Sequence, residues 1–303
     1  MIRYIFREYL HKTLLSGRFL AVSAMLPISL ASLFWNMRGV MREVGERVGP
    51  FELLPCFLYI DTNQLIYFGI LIFLVAVLPQ WEGSLNQIPR LGKRKWILTQ
   101  YIYVLLTSVI YYLIWTLGFI FAFLPRINWG NGWSSMVERA ADPVHGVQFT
   151  IDMKFNVSMN FSKTLMSVGS PGKVWLLTFL LHVLAGLFVG MLMVTLNICF
   201  RRGTGTVIAY FIVGVSTFFG WLPTFLDNKW FHFDGYKQLK NFLMRMEFYA
   251  SPLYQCDLLN MAILDARPVG ERVAIGVTYF LLLIALIVVF GLRSVRRIDL
   301  CQE

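Results

Sequence analysis

Six apolar runs that contain no Asp, Glu, Lys or Arg divide this chain, at residues 19–35, 64–80, 96–124, 175–200, 205–226 and 273–292. A helix rising about 1.5 Å per residue needs roughly 20 such residues to cross some 30 Å of hydrocarbon, with every backbone N–H and C=O satisfied inside it. The first two runs are just long enough, and the third is longer than a crossing requires, so it should tilt or run past the bilayer on one side. With 57% hydrophobic and only 15% charged residues, the composition excludes a disordered chain and an ordinary soluble enzyme. The expected fold class is an all-α polytopic membrane protein, one transmembrane domain over residues 1–303 with six transmembrane helices and outer loops at 36–63, 125–174 and 227–272.

The formal charge of +10 is unevenly placed. Residues 1–18, 81–95, 201–204 and 293–303 carry thirteen basic and four acidic side chains, a net +9, whereas the three long loops carry fourteen and thirteen, a net +1. Short loops rich in Lys and Arg stay in the cytoplasm. Both termini are therefore expected there, in a multi-pass plasma-membrane protein of bacterial character. The same asymmetry accounts for the basic excess without nucleic acid as a partner.

The stretch 1–18 places Ile2, Ile5, Phe6, Tyr9, Leu10 and Leu14 at helical spacing, opposite Arg3, Arg7, Glu8, His11 and Lys12. That pattern predicts an amphipathic helix lying at the membrane interface, not a cleavable signal. From Val147 to Phe161 apolar residues alternate with Gln, Thr, Asp, Lys, Asn and Ser, which predicts a β-strand or hairpin in the second outer loop. Two amphipathic stretches, 236–250 and 253–265, are expected as outer helices separated by Ser251-Pro252. Cys56 and Cys256 both fall on the outer side, where free thiols are expected over a bridge.

The spans offer little chemistry. His182 is the one titratable side chain well inside them, with Gln100 and Asn197 as polar company, and a lone His in a helix is expected to be an interhelical hydrogen-bond donor. No midplane carboxylate is present to couple transport to H⁺ or Na⁺. Enzyme motifs are lacking too, and the stretch 83–94 fails as a nucleotide loop because Arg94 stands where a Ser or Thr must hold Mg²⁺. The chain is not expected to be an enzyme or to hold a cofactor or metal of its own.

The second inner segment, Pro79-Gln80-Trp81-Glu82-Gly83-Ser84-Leu85 followed by Pro89, Arg90 and Lys93-Arg94-Lys95, resembles the cytoplasmic connection of type-2 ABC exporter permeases. The resemblance extends in architecture to the amphipathic entry helix, the six spans, the tight turn between spans four and five, and the basic tail. It implies that Glu82, Gly83, Ser84, Leu85, Arg90, Lys93 and Arg94 belong to a coupling helix that docks on an ATPase subunit. It further implies two copies of that ATPase binding ATP and Mg, a second permease subunit identical or related to this one, and the lipid bilayer as surroundings. In that family the substrate path runs between the paired subunits along spans two and five, which points to Phe73, Phe218 and Phe219. The implied activity is export of an amphipathic compound, lipid or peptide. The alternative is a membrane sensor or immunity protein whose outer strand binds a ligand.

Overall fold

The computed structural model describes residues 7, 9, 13–76, 92–152, 159, 161–200, 203–226, 238, 242, 251–258 and 268–297. Its helices are α1 (Gly17–Leu33), α2 (Trp35–Val44), α3 (Leu53–Leu58), α4 (Asp61–Val75), α5 (Lys93–Phe123), α6 (Ser135–Ala140), α7 (Gly146–Asp152), α8 (Lys163–Met166), α9 (Pro171–Cys199), α10 (Thr204–Leu226), α11 (Pro252–Gln255) and α12 (Val269–Arg297). Helices overlie all six apolar runs. Three of them, α5, α9 and α12, are long and apolar enough to cross a membrane, and α1 with α2 makes a fourth if the pair, bent by 52°, is one broken span. The chain is thus an all-helical membrane protein with three to four candidate spanning helices. The described α4 is 15 residues, about 22 Å, and residues 77–80 of its apolar run lie outside the described residues.

Side-chain register fixes the direction of each helix. Gly186 and Gly190 of α9 face Leu71 and Val75 of α4, in order, and Ser108 and Val104 of α5, in reverse. Hence α4 runs parallel to α9 and α5 runs against both. Leu26 and Leu30 of α1 flank Gly118, and Phe34 stacks between Phe119 and Phe123, so α1 runs with α5. Phe280 of α12 meets Phe188 of α9, while Gly291 meets Tyr101 and Ile97, so α12 runs with α9. A tight turn reverses the chain from α9 into α10. The helices therefore alternate in direction, with the long loops 36–63 and 125–174 together at one end (the loop end) and the short connections at the other (the turn end).

Val75 and Val104 meet the same glycine and so lie level, and Lys93 stands eleven residues, about 16 Å along α5, from Val104 toward the turn end.

Hydroxyls tie the described helices to one another. Thr107, Thr178 and Thr195 each donate to the carbonyl four residues back, at 2.8, 2.9 and 2.7 Å. With that proton committed, each threonine oxygen accepts from a tyrosine on another segment: Tyr9 at 3.1 Å, Tyr59 at 2.6 Å and Tyr101 at 2.7 Å. Thr116 repeats the scheme, donating to Tyr112 O and accepting from Trp175 Nε1 at 3.0 Å. In a membrane such bonds contribute about 0.6 kcal/mol each on average, and the rest comes from close packing.

The expected strand at 147–161 is corrected where it is described. Gly146–Asp152 is α-helical, and Gly146 N and Phe149 N donate to Asp142 O and His145 O at 2.8 and 2.9 Å. Asp142-Pro143 explains it: Asp142 Oδ1 accepts Val144 N at 3.0 Å and proline follows at once, a helix-entry pattern that outweighs the alternation. No strand occurs among the described residues, only an isolated bridge between Val48 and Ile127, so 147–152 has no edge to pair with. Residues 153–158 and 160, and most of 1–12, 236–250 and 259–265, lie outside the described residues. Tyr9, expected on the apolar face of the N-terminal helix, is buried against Tyr103 of α5 at 5.3 Å between rings.

Candidate functional site

The expected docking residues divide between what is described and what is not. Glu82, Gly83, Ser84, Leu85 and Arg90 lie outside the described residues. Lys93 and Arg94 form, with Lys95, the first turn of α5, entered through Gly92 at φ 76°. Arg94 and Lys95 are exposed and Lys93 is half-buried. Three cations at a helix N-terminus oppose the macrodipole, at a cost of a few tenths of a kcal/mol each. The exposed pair, Arg94 and Lys95, leaves a basic surface at the turn end.

The expected path residues are not brought together. Phe73 is 43% exposed on α4, and the Arg18 guanidinium lies 5.3 Å from its ring centre. Phe218 is 61% exposed on α10. Tyr210 of α10 donates to Gly69 O of α4 at 3.1 Å and sets these two helices level. Since they run in opposite directions, Phe73 lies about 6 Å toward the turn end and Phe218 about 12 Å toward the loop end of that contact. The two phenylalanines thus lie at different depths on two neighbouring helices, α4 and α10. Phe219 is in the helix, its side chain outside the described residues.

Deeper in, α4, α5 and α9 enclose a polar cluster among aromatic rings. His182 is fully buried; its Nδ1 lies 3.0 Å from Thr178 O, an acceptor only, so Nδ1 carries the proton and Nε2 presents a lone pair. That bond runs within α9, which corrects the expected interhelical role. Phe68 stacks on the imidazole at 5.9 Å, and Tyr67 meets it edge-on at 5.6 Å. His182 Nε2, Tyr67 Oη, Gln64 Nε2 and Trp115 Nε1 are buried and have no partner among the described residues. Three donors and one acceptor suit water or a small hydrogen-bonding group, and the fully buried Asp257 lies close enough to act on Tyr59, which shares Thr178 with His182.

The loop end is held by a carboxylate that sequence reasoning missed. Glu52 is 0% exposed; its Oε1 accepts Ser134 N at 2.7 Å, and its Oε2 accepts Ser134 Oγ at 2.7 Å and Gly49 N at 2.9 Å. Burial pushes its carboxyl up from the ordinary value, against the pull of these donors. Glu46 adds a second tie, accepting Ser135 Oγ at 2.6 Å and pairing with Arg139 at 3.1 Å. Cys56 and Cys256 are free and buried, and burial raises both thiols. Asp142 is spent on its own turn, where it accepts Val144 N.

These features define the class: a helical membrane bundle with a tied cap at one end and a cationic helix start at the other. Comparison with known proteins finds no matching family model, curated protein or solved structure.

Proposed function

We propose that this chain is the membrane-spanning permease subunit of an ABC exporter, crossing a bacterial plasma membrane six times with its turn end in the cytoplasm. It works beside a second permease subunit, and two copies of a separate ATPase, which bind the ATP and Mg, drive outward movement of an amphipathic compound, lipid or peptide. The observation that carries this reading is the first turn of α5 at the turn end, where Lys93, Arg94 and Lys95 follow one another with Arg94 and Lys95 exposed. These cations oppose their own helix dipole and leave a basic surface that an acidic partner could grip. The alternating direction of the helices over the six apolar runs supports the even number of crossings. Glu82, Gly83, Ser84, Leu85 and Arg90, just before that turn, complete the docking segment that the resemblance implies. The neighbouring helices α4 and α10, with Phe73 and Phe218, are offered to the second permease.

The sensor alternative drew on an outer strand at 147–161, and the helical 146–152 removes half of that motive. The decisive experiment isolates the full chain from its host membrane in mild detergent. An ATPase with nucleotide-binding motifs should co-purify in equal amount, and Glu82→Lys or Arg94→Glu should lower transport-coupled ATP hydrolysis at least tenfold. Isolation of the chain alone, or hydrolysis indifferent to both reversals, refutes the reading.

A further inference from the structure

Where α1 ends, a cleft of about 430 Å³ opens between α2 and the segment after α5, lined by Trp35, Arg38, Gly39, Arg42, Leu124, Pro125 and Arg126. Three arginines, Arg38, Arg42 and Arg126, line one space. Arg38 and Arg42 are a helical turn apart on α2, with Gly39 between them leaving the floor open; a Cβ there would meet nothing within 4 Å. Arg38 donates from Nη2 to Leu124 O at 3.1 Å and lies 5.8 Å from the Trp35 ring centre, which braces it across the cleft. Arg126 is held through its backbone, its N donating to Phe123 O at 2.7 Å and its O accepting Val48 N at 3.1 Å. Among the described residues no carboxylate pairs with any of the three, and the nearby Glu46 is committed to Arg139 and Ser135. The local charge is unbalanced in favour of an anion.

The surroundings decide which kind of anion. The cleft sits at the bend of 52° where an apolar helix turns into an amphipathic one whose Met37 and Met41 are buried. Trp35 and Trp129, 69% and 68% exposed at this end, occupy the position of an interfacial aromatic belt. Directly below, Leu33, Leu117 and Phe121 are exposed and continue the wall toward the membrane interior. A cationic notch above an open apolar strip matches a molecule with a charged head and a hydrocarbon tail.

We propose that this cleft binds the phosphate of an anionic phospholipid of the leaflet at the loop end, with Arg38, Arg42 and Arg126 as its ligands and an acyl chain along Leu33, Leu117 and Phe121. The volume falls within the range of small-molecule sites, and planar guanidiniums suit phosphate oxygens. The inference needs only that the chain is a membrane protein and is independent of the exporter reading.

The test titrates the purified full-length chain, in detergent, with phosphatidylglycerol or phosphatidylcholine and counts bound lipid by native mass spectrometry. Phosphatidylglycerol should bind in preference, and Arg42→Gln alone should weaken it about fivefold. Replacing Arg38, Arg42 and Arg126 together by Gln should weaken it at least thirtyfold and leave phosphatidylcholine unchanged. Arg42 is exposed and makes no bond within the described fold, so the single variant reads binding without loss of structure. Inorganic phosphate or glycerol 3-phosphate in excess should fail to displace the lipid. Equal binding of the two lipids, an unchanged Arg42→Gln variant, or displacement by the soluble anions overturns the assignment.

Discussion

A carboxylate shut away from solvent has to be held by donors, and Glu52 is held by three, two of them from Ser134, which is 82 residues away in sequence. Glutamine at this position keeps the shape and turns one acceptor oxygen into an NH₂, which then faces a backbone N–H. Glu52→Gln should cost about 1–3 kcal/mol, the price of a buried mismatch, read as a lower midpoint in a thiol-reactive melt that follows exposure of Cys56 and Cys256. The raised carboxyl gives the pH dependence its sign. Folded, the group binds its proton more tightly than unfolded, so its contribution is full below the ordinary 4.5 and is lost as pH rises through the higher folded value. The wild type should lose stability across that window and Glu52→Gln should not; a flat wild-type profile refutes the assignment. Nothing local marks Glu52 in the sequence, since its partner lies in another loop. His182 was legible as the one titratable side chain inside a span, but its bond to Thr178 four residues back was not, because a helix offers that carbonyl to any residue able to bend toward it.

At the scale of elements, glycines separate contact from free surface. A Cβ on Gly190 would lie 2.5 Å from Val104 Cγ1, and one on Gly186 would lie 2.7 Å from Leu71 Cδ2, so α9 packs on α4 and α5 through this pair. Gly214 of α10 has nothing within 4 Å. Gly190→Ala should therefore destabilise the bundle by about 1–3 kcal/mol through overpacking, whereas Gly214→Ala should gain about 0.5–1 kcal/mol from helix propensity alone. Opposite shifts of the unfolding midpoint in detergent check the pair, and a common sign would mean that α9 does not bear this contact. The four-residue spacing of Gly186 and Gly190 was readable in sequence; which of the glycines found a neighbour was not, because that depends on the faces that α4 and α5 turn inward. The tight turn was equally readable, though its fastening was not. Asn197 Oδ1 accepts Gly203 N and Gly205 N at 3.1 and 2.8 Å, so a polar residue read as part of a span caps the start of the next helix. The alternation over 147–152 misled because period two is meaningful only where an edge exists, and Asp142-Pro143 had already started a helix.

For the whole molecule, the charge asymmetry and the register meet in one statement about orientation. The six segments could be located because hydrocarbon excludes charge over a length set by the bilayer, and their alternation follows once connections are short. The bend after α1 was not legible, since 36–44 is too polar to continue a span, yet Met37, Met41 and Val44 share a face that lets it run on as α2. In the orientation proposed above, the turn end carries the net +9 segments and faces the cytoplasm, as the positive-inside rule expects. In a background with Cys56, Cys199, Cys256 and Cys301 replaced, Ser135→Cys at the loop end should react with a membrane-impermeant maleimide in intact cells. Lys95→Cys at the turn end should react only after the membrane is opened. Both positions are exposed, so protection of Lys95→Cys reports the bilayer and not the fold. Labelling of both in intact cells would mean that α5 does not cross, and the reverse pattern would invert the bundle, moving the cationic start of α5 out of reach of any cytoplasmic ATPase.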